Sequence, residues 1–496
     1  MASNRRDILH NVDWVLVLVF FALVLFGVTN IYAADFNPDY DFLDLSRRSG
    51  KQSMWIGISL MVAFVILLLD SRFIYNMTFP LYLVIILVQV FVILFAKEVN
   101  GARAWLEIGP FKVQPAEFCK FSTALALAVY LSRINIKIKK EPTSISNLGV
   151  FFFKMFRGKK VWSFSDISVG QHIIPFAIIF TPVLLILLQQ DTGTAIVFFT
   201  LFFVLFREGI IGNSMYLALV VIFITILTLM LGKAATITIL GFIGFFIYAA
   251  FIKKTQMAMV NIGVMILFLI LRNIFNLNPA LDTYVVLSWI AFSFIQNYFT
   301  KVAWKRAEKI VVLGGILLSI GYVYSVNTFY DILQPHQRVR VDIILGKLQD
   351  RTVGFQTEQS MNAIGSGGFF GKGFLNGALT KGNWVPEQST DYIFSTVGEE
   401  WGFMGAFTVI SLFVVLILRI LYQAEKQRNS ANRMYGYGVA SIFFFHLLVN
   451  IGMTIQVMPV IGIPLPFFSY GGSSLLSFTI LLFLFIKFDS QRLDDL

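Results

Sequence analysis

The chain has 496 residues, of which 57% are apolar and 16% aromatic, while only 14% are charged; a soluble globular domain carries about 25% charged residues. That balance excludes a soluble enzyme and predicts an all-α polytopic integral membrane protein. The net charge of +11 comes as short basic clusters between apolar runs, the pattern of cytoplasmic loops rather than of a nucleic-acid surface, and the single cysteine, Cys119, rules out an internal disulfide or a cysteine-based metal cluster.

Apolar runs long enough to cross a hydrocarbon core of about 30 Å centre near residues 23, 62, 85, 124, 181, 200, 223, 243, 265, 290, 318, 408, 446 and 478. An even number of about fourteen transmembrane helices puts both termini in the cytoplasm. The first run, about Trp14 to Tyr32, is too long for a signal-peptide core and lacks a clear small-residue cleavage site, so it is expected to stay as a span. In the outside connection NGARAWLEIGPFKVQPAEFCKF, residues 100 to 121, Pro115 reads as a first helical residue and Glu117 as a first-turn acid. Glu117 and Lys120 lie three apart on one helix face, either as a local ion pair or as part of a polar pocket. The connection from Lys140 to Gly170 is basic and cytoplasmic, and its VFFFKMF stretch is suited to lying along the interface. QQDTG, residues 189 to 193, reads as a kink or a brief outside turn.

The connection from about Thr328 to Thr390 is the one long polar stretch and falls outside. Within it, Arg338 and Arg340 alternate near His336; in an extended segment both guanidiniums face one way, either to grip a phosphate or pyrophosphate or to anchor on lipid headgroups. GSGGFFGKGF, residues 365 to 374, lacks the spacing of a Walker loop. Its glycines are expected mainly to turn the chain, with an anion-binding nest beside Lys372 as the alternative. Asp391 precedes an apolar helix, where it would serve either to start that helix or as a fixed, half-desolvated general base. Glu399 and Glu400 follow at a depth where ionisable groups are costly and are functional candidates.

The ordered set NGARAWLEIG…QPAEFCK, QQDTGTA, HQRVRV, TEQSMNAIGSGGFFGKGF, VPEQSTDYIFSTVGEEWGFMG and MPVIGIPLPFFSYGGSSLLS resembles the SEDS family of shape, elongation, division and sporulation proteins. Within it, QRVRV and the short termini resemble the RodA branch more than the FtsW branch. The resemblance covers most of the chain. It implies a peptidoglycan glycosyltransferase that polymerises lipid II outside the bacterial inner membrane, releases undecaprenyl pyrophosphate during cell wall elongation, and works with a class B penicillin-binding protein and the elongation machinery.

Carried over by motif, the resemblance makes Asp391 the essential acid, and Glu117, Lys120, Arg338, Arg340 and Lys372 substrate-binding residues. This chain departs from the family pattern at Ala104-Trp105 and at QQDTG, where a proline is missing. It also carries about four extra apolar segments beyond a ten-helix core. The expected domains are therefore an N-terminal core part at 1–211, inserted spans of unknown role at 212–306, a core span at 307–327, the large extracytoplasmic loop at 328–392 and C-terminal spans at 393–496. In the expected reaction Asp391 takes the proton from a sugar hydroxyl in a single inverting displacement. Cationic side chains or a divalent cation, Mg or Mn, meet the departing pyrophosphate. The alternatives are a flippase for the same lipid-linked precursor, with Glu117, Lys120, His446, Asn450 and Gln456 lining its path, and a noncatalytic scaffold for the penicillin-binding protein.

Overall fold

The computed structural model describes residues 11–96, 103–108, 111–134, 173–211, most of 220–240, 306–332, 338, 342, 353–382, 384–458 and 460–492. The centres of the predicted spans near 243, 265 and 290, the Lys140 to Gly170 connection, His336 and Arg340 lie outside the described residues. Two compact units divide the chain, one made of 1–139, 167–211 and 349–496, the other of 140–166 and 212–348.

In the first unit the helices are α1 (Trp14–Ala34), α2 (Arg48–Leu68), α3 (Ser71–Phe95), α4 (Pro115–Arg133), α5 (Ile174–Leu188) and α6 (Thr192–Arg207, with a 3-10 turn at Phe198–Leu201). After the second unit's α7 (Arg306–Ile332) come α8 (Val353–Ser366), α9 (Ala378–Lys381), α10 (Ile393–Glu425), α11 (Ser430–Thr454) and α12 (Gly472–Ser490). A hairpin, β1 (Leu106–Ile108) paired antiparallel with β2 (Phe111–Val113), precedes α4. Among the described residues six helices, α1, α2, α3, α10, α11 and α12, are long and apolar enough to cross a membrane.

Local chemistry sets the helix ends. Pro115 occupies the first turn of α4, where its missing N–H costs nothing. Asp13 caps α1 by accepting from the backbone N–H groups of Val15 at 3.0 Å and Leu16 at 3.3 Å, and Asn429 caps α11 through Ala431 at 2.9 Å. Both caps satisfy donors that a helix start leaves open.

Burial separates interior from perimeter. In their most apolar windows α12 is 83% buried and α11 72%, whereas α2 and α3 are each 22% buried; α4 is buried along almost its whole length. So α4, α11 and α12 form the centre, with α4 and α12 packed on each other, α11 against α4 and α10, and α2 against α12. The perimeter helices present leucines and phenylalanines outward, such as Leu83, Leu87 and Leu94 on α3, at a helical spacing suited to a lipid face. At one end of the bundle, Arg419 meets Asp13 at 2.7 Å, Arg433 meets Glu208 at 3.0 Å and Arg207 meets Glu425 at 2.9 Å. Arg207 and Arg433 belong to the basic positions predicted to be cytoplasmic.

The glycine-rich segment has a structural task. Helix α10 breaks at Gly402, whose φ of 63° and ψ of −157° fit a region populated essentially by glycine. The break frees the carbonyls of Glu399 and Glu400 and the N–H groups of Phe403 and Met404. The chain after α8 takes up all four: Lys372 N donates to Glu399 O and Gly373 N to Glu400 O, both at 3.0 Å, while Phe403 N donates to Gly368 O at 2.9 Å and Met404 N to Phe369 O at 3.1 Å. A methyl group on Gly367 would collide with Gly398 O, so the two backbones need glycine to approach this closely. Unpaired backbone is costly in a membrane setting, and here the break is repaired by another part of the chain. The expected turn-forming role of these glycines is therefore met, and the N–H of Lys372 is engaged by a carbonyl rather than left facing an anion.

In the second unit, Tyr330 on α7 donates to Asp342 at 2.5 Å and lies under the Arg338 guanidinium, 5.9 Å from its ring centre. Residue 338 is helical, so the extended geometry expected for the Arg338 and Arg340 pair is not adopted at Arg338.

Candidate active site

The residues before α10 form a tight run of turns that neighbouring elements stitch in place. Glu387 O accepts from Thr390 N at 3.1 Å and Tyr392 N at 3.2 Å. Gln388 Nε2 donates to Ala34 O at the end of α1 at 2.7 Å. Ser389 is held from two sides, its hydroxyl by the Arg48 guanidinium at the start of α2 and its carbonyl by Tyr470 N at 2.8 Å. Tyr392 is buried with Ala363 and Val385, its hydroxyl 3.2 Å from that of Thr357 on α8.

Asp391 is set within this stitching. Its backbone carbonyl accepts from Asn450 Nδ2 on α11 at 2.9 Å. Its carboxylate does not cap α10: the cap residue is Tyr392, and no side-chain capping bond forms there. Among the described residues none donates a hydrogen bond to that carboxylate. It lies beside Gly462, whose φ is +73°, and a methyl on Gly462 would stand 3.2 Å from Asp391 Oδ2. Burial, with the charges of Glu387 and Asp191 added, pushes the carboxyl up to about 6, since desolvation and like charges both favour the protonated form. An accessible, undonated carboxylate near neutrality has the makings of a general base.

Asp191 comes from QQDTG. That motif is a true break: Gln190 has φ 64°, and Asp191 restarts the chain as cap of α6, accepting from Thr194 N at 3.0 Å and Gln114 Nε2 at 2.6 Å.

Glu117 and Lys120 pair as their spacing predicts, Lys120 Nζ lying 2.8 and 2.9 Å from the two carboxylate oxygens. Their side chains are 2% and 1% exposed. The ammonium also reaches His446 Nε2 at 3.1 Å, and His446 Nδ1 lies 2.9 Å from Pro464 O. An ammonium can only donate, so Nε2 accepts and the N–H sits on Nδ1, directed at that carbonyl. Phe478 lies under Lys120, its ring centre 4.7 Å from Nζ. All three ammonium protons are thereby engaged, so this pair ties α4 to α11.

Lys372 is likewise occupied. Its Nζ is 2.7 Å from Glu399 Oε1, and the same carboxylate accepts from Leu379 N at 3.0 Å and Thr380 N at 2.9 Å. Buried Glu399 thus ties the glycine segment to α9, which accounts for one of the two deep acids. Arg338 belongs to the second unit and stacks on Tyr330. Sequence reasoning missed Arg48. Its signal was available: Arg47 and Arg48 form a basic pair in a short connection on the predicted outer side, against the usual charge asymmetry. Arg47 is paired with Asp35 at 3.4 Å, whereas Arg48 is turned toward Ser389 and the Tyr470 ring, 5.9 Å from its centre.

A peptidoglycan glycosyltransferase RodA from Treponema pallidum (strain Nichols) is 29% identical over 483 residues, 97% of this chain and 98% of that protein. The peptidoglycan glycosyltransferase MrdB of Escherichia coli (strain K12) is 25% identical over 468 residues, 94% of this chain and 90% of that protein. A chain from a peptidoglycan synthase complex that coordinates polymerization and crosslinking superposes with a TM-score of 0.61 at 24% identity, covering 98% of this chain and 99% of its own; that likeness concerns the fold. The model of the FtsW/RodA/SpoVE cell cycle proteins matches residues 13–243 and 235–493, two pieces that meet inside the stretch read from sequence as inserted. A multi-pass bundle whose motifs follow that model across nearly all its length makes this chain a member of the FtsW/RodA/SpoVE family.

Proposed function

We propose that this protein is a peptidoglycan glycosyltransferase that polymerises lipid II into glycan strands during cell wall elongation, releasing undecaprenyl pyrophosphate at the outer face of the bacterial inner membrane. Both termini lie in the cytoplasm, and a class B penicillin-binding protein of the elongation machinery crosslinks the product. The names of the relatives support this reading, as does the shared fold with a chain of a peptidoglycan synthase complex.

The observation that carries the chemistry is the Asp391 carboxylate: partly exposed, undonated by any described residue and raised to about 6. As general base it takes the proton from the 4-hydroxyl of one precursor's N-acetylglucosamine. That oxygen forms a bond to C1 of the N-acetylmuramic acid on the growing strand. The C1–O bond to pyrophosphate breaks, its electron pair leaves with undecaprenyl pyrophosphate, and the α-linked donor gives a β-linked product. No acid is needed for a leaving group that is already stable as an anion. Its charge calls for cations, for which Arg48, turned toward Ser389 beside Asp391, is the candidate side chain within this unit, Lys120 and Lys372 being paired internally. A divalent cation is the alternative to such a side chain; the described residues contain no group of three His, Cys, Asp or Glu side chains able to hold it, and no step of this scheme depends on one.

Purified protein in nanodiscs, given lipid II, tests the reading. Wild type should yield glycan polymer, and a folded Asp391→Asn variant should lose about 10²–10⁴-fold of the rate, the scale of general-base catalysis. Polymer at a near wild-type rate from that variant would refute the base assignment. Lipid II translocation in vesicles with no polymer from the wild type would favour the flippase.

A further inference from the structure

Asn450 is fully buried on α11, one turn beyond His446. Its amide nitrogen donates twice, to Asp391 O at 2.9 Å and to Ile463 O at 2.8 Å. Both partners are carbonyls, so the amide can point only one way: a flip would set oxygen against oxygen twice. Its own Oδ1 is buried and takes no donor among the described residues. An orphaned acceptor weakens a fold, so an asparagine here is poorly explained by stability alone. What it does achieve is to join two loops that are 72 residues apart in sequence, 391 against 463.

The joint matters because the 461–464 loop is the surface beside which the Asp391 carboxylate rests. Gly462, adjacent to Ile463, faces Asp391 closely enough that a methyl on it would stand 3.2 Å from Oδ2. Pro464, on the other side of Ile463, is the acceptor for His446, which in turn is fixed by Lys120 and Glu117. Two consecutive inward turns of α11 therefore hold two consecutive carbonyls of one loop, and the upper of these two side chains also holds Asp391.

We propose that Asn450 is a positioning residue for the glycosyl transfer: its buried amide sets the distance between the Asp391 backbone and the Ile463–Pro464 loop, and so fixes where the reacting carboxylate stands. His446 steadies the same loop from one turn below. The inference rests on the assignment of Asp391 as the base. The charged groups that bear on the carboxylate are Glu387 from its own turn and Asp191 from the start of α6; neither is bonded to Asn450 among the described residues. Releasing the joint lets the carboxylate move toward water, where burial no longer raises its proton affinity.

The test uses the full chain in nanodiscs with lipid II, comparing wild type, Asp391→Asn, Asn450→Leu and Gly462→Ala. Asn450→Leu keeps the branched shape and removes both hydrogen bonds; Gly462→Ala leaves Asn450 intact and brings a methyl to 3.2 Å from the carboxylate. Both are expected to lower kcat at least about tenfold with KM within about twofold, the mark of an interaction that serves the transition state. In Asn450→Leu the acid limb of the kcat/KM profile, which reports the free enzyme, should also fall from about 6 toward the ordinary aspartate value of 3.8. A purely structural asparagine would lower the amount of folded protein without moving that limb. Wild-type kcat in Asn450→Leu, or a reduced kcat with an unmoved acid limb, would overturn the proposal. If wild type itself makes no polymer, or Asp391→Asn remains active, it is the underlying functional reading that fails.

Discussion

Replacing Asp391 with asparagine separates the expense of burying a carboxylate from its use. The folded protein holds this carboxyl at about 6, against an ordinary value of 3.8. A gap of about two pH units corresponds to about 3 kcal/mol. Because the folded state binds the proton more tightly, the carboxyl imposes no penalty below about pH 4, a growing one between about pH 4 and 6, and the full one above about pH 6. The wild type should thus lose stability through this residue as pH rises, and Asp391→Asn should not. The stability difference in favour of the variant should widen by about 2 kcal/mol between about pH 4.5 and pH 7.5. Reversible unfolding in mixed micelles by titration with sodium dodecyl sulfate, followed by circular dichroism, measures it. A difference that is flat with pH, or one that narrows as pH rises, would refute the claim that the site keeps a destabilised carboxylate ready for proton transfer. The same variant, more stable at neutral pH, should polymerise about 10²–10⁴-fold more slowly.

Gly402→Ala would force a side chain into glycine-only backbone and drive a methyl into Gly371 N; strain of about 1–3 kcal/mol, added to disturbed pairing with 368–373, should be visible as a lower unfolding midpoint. Lys372→Ala should leave Glu399 short of its charged partner and reduce stability by about 1–3 kcal/mol, while KM for lipid II stays unchanged; a large rise in KM would restore Lys372 as a substrate contact. Lys120→Met should be more damaging to folding than Glu117→Gln and Lys120→Met together, since removing one partner strands a buried charge worth about 3–5 kcal/mol. Comparing folded yields of the single and double variants decides that point.

Local features were readable from the residues in order. Pro115 opened α4 as its ring geometry requires, Glu117 and Lys120 found each other at their three-residue spacing, and QQDTG broke the chain between α5 and α6. What escaped depends on distant partners. Lys372 next to glycines looks like a phosphate nest until Glu399, 27 residues away, claims its ammonium. Asp391 before an apolar run looks like a helix cap, but the helix begins one residue too late for that bond. Arg338 and Arg340 alternate as strand residues do, while residue 338 is helical, stacked on an aromatic ring of α7. Arg48 and Asn450 act on Ser389 and Asp391 across 341 and 59 residues, separations over which no periodic pattern carries information.

The splice between the broken helix and the segment that mends it has one more implication. Surface connections usually accept insertions and deletions freely. The stretch from Gly368 to Gly373 cannot, because its two donors and two acceptors must meet four fixed partners on α10 in register. Adding or deleting one residue there would slide the ladder by a position and strand polar backbone at the edge of the bilayer. This short tract is therefore length-locked, and a connection that looks dispensable behaves as a missing rung of the transmembrane helix itself.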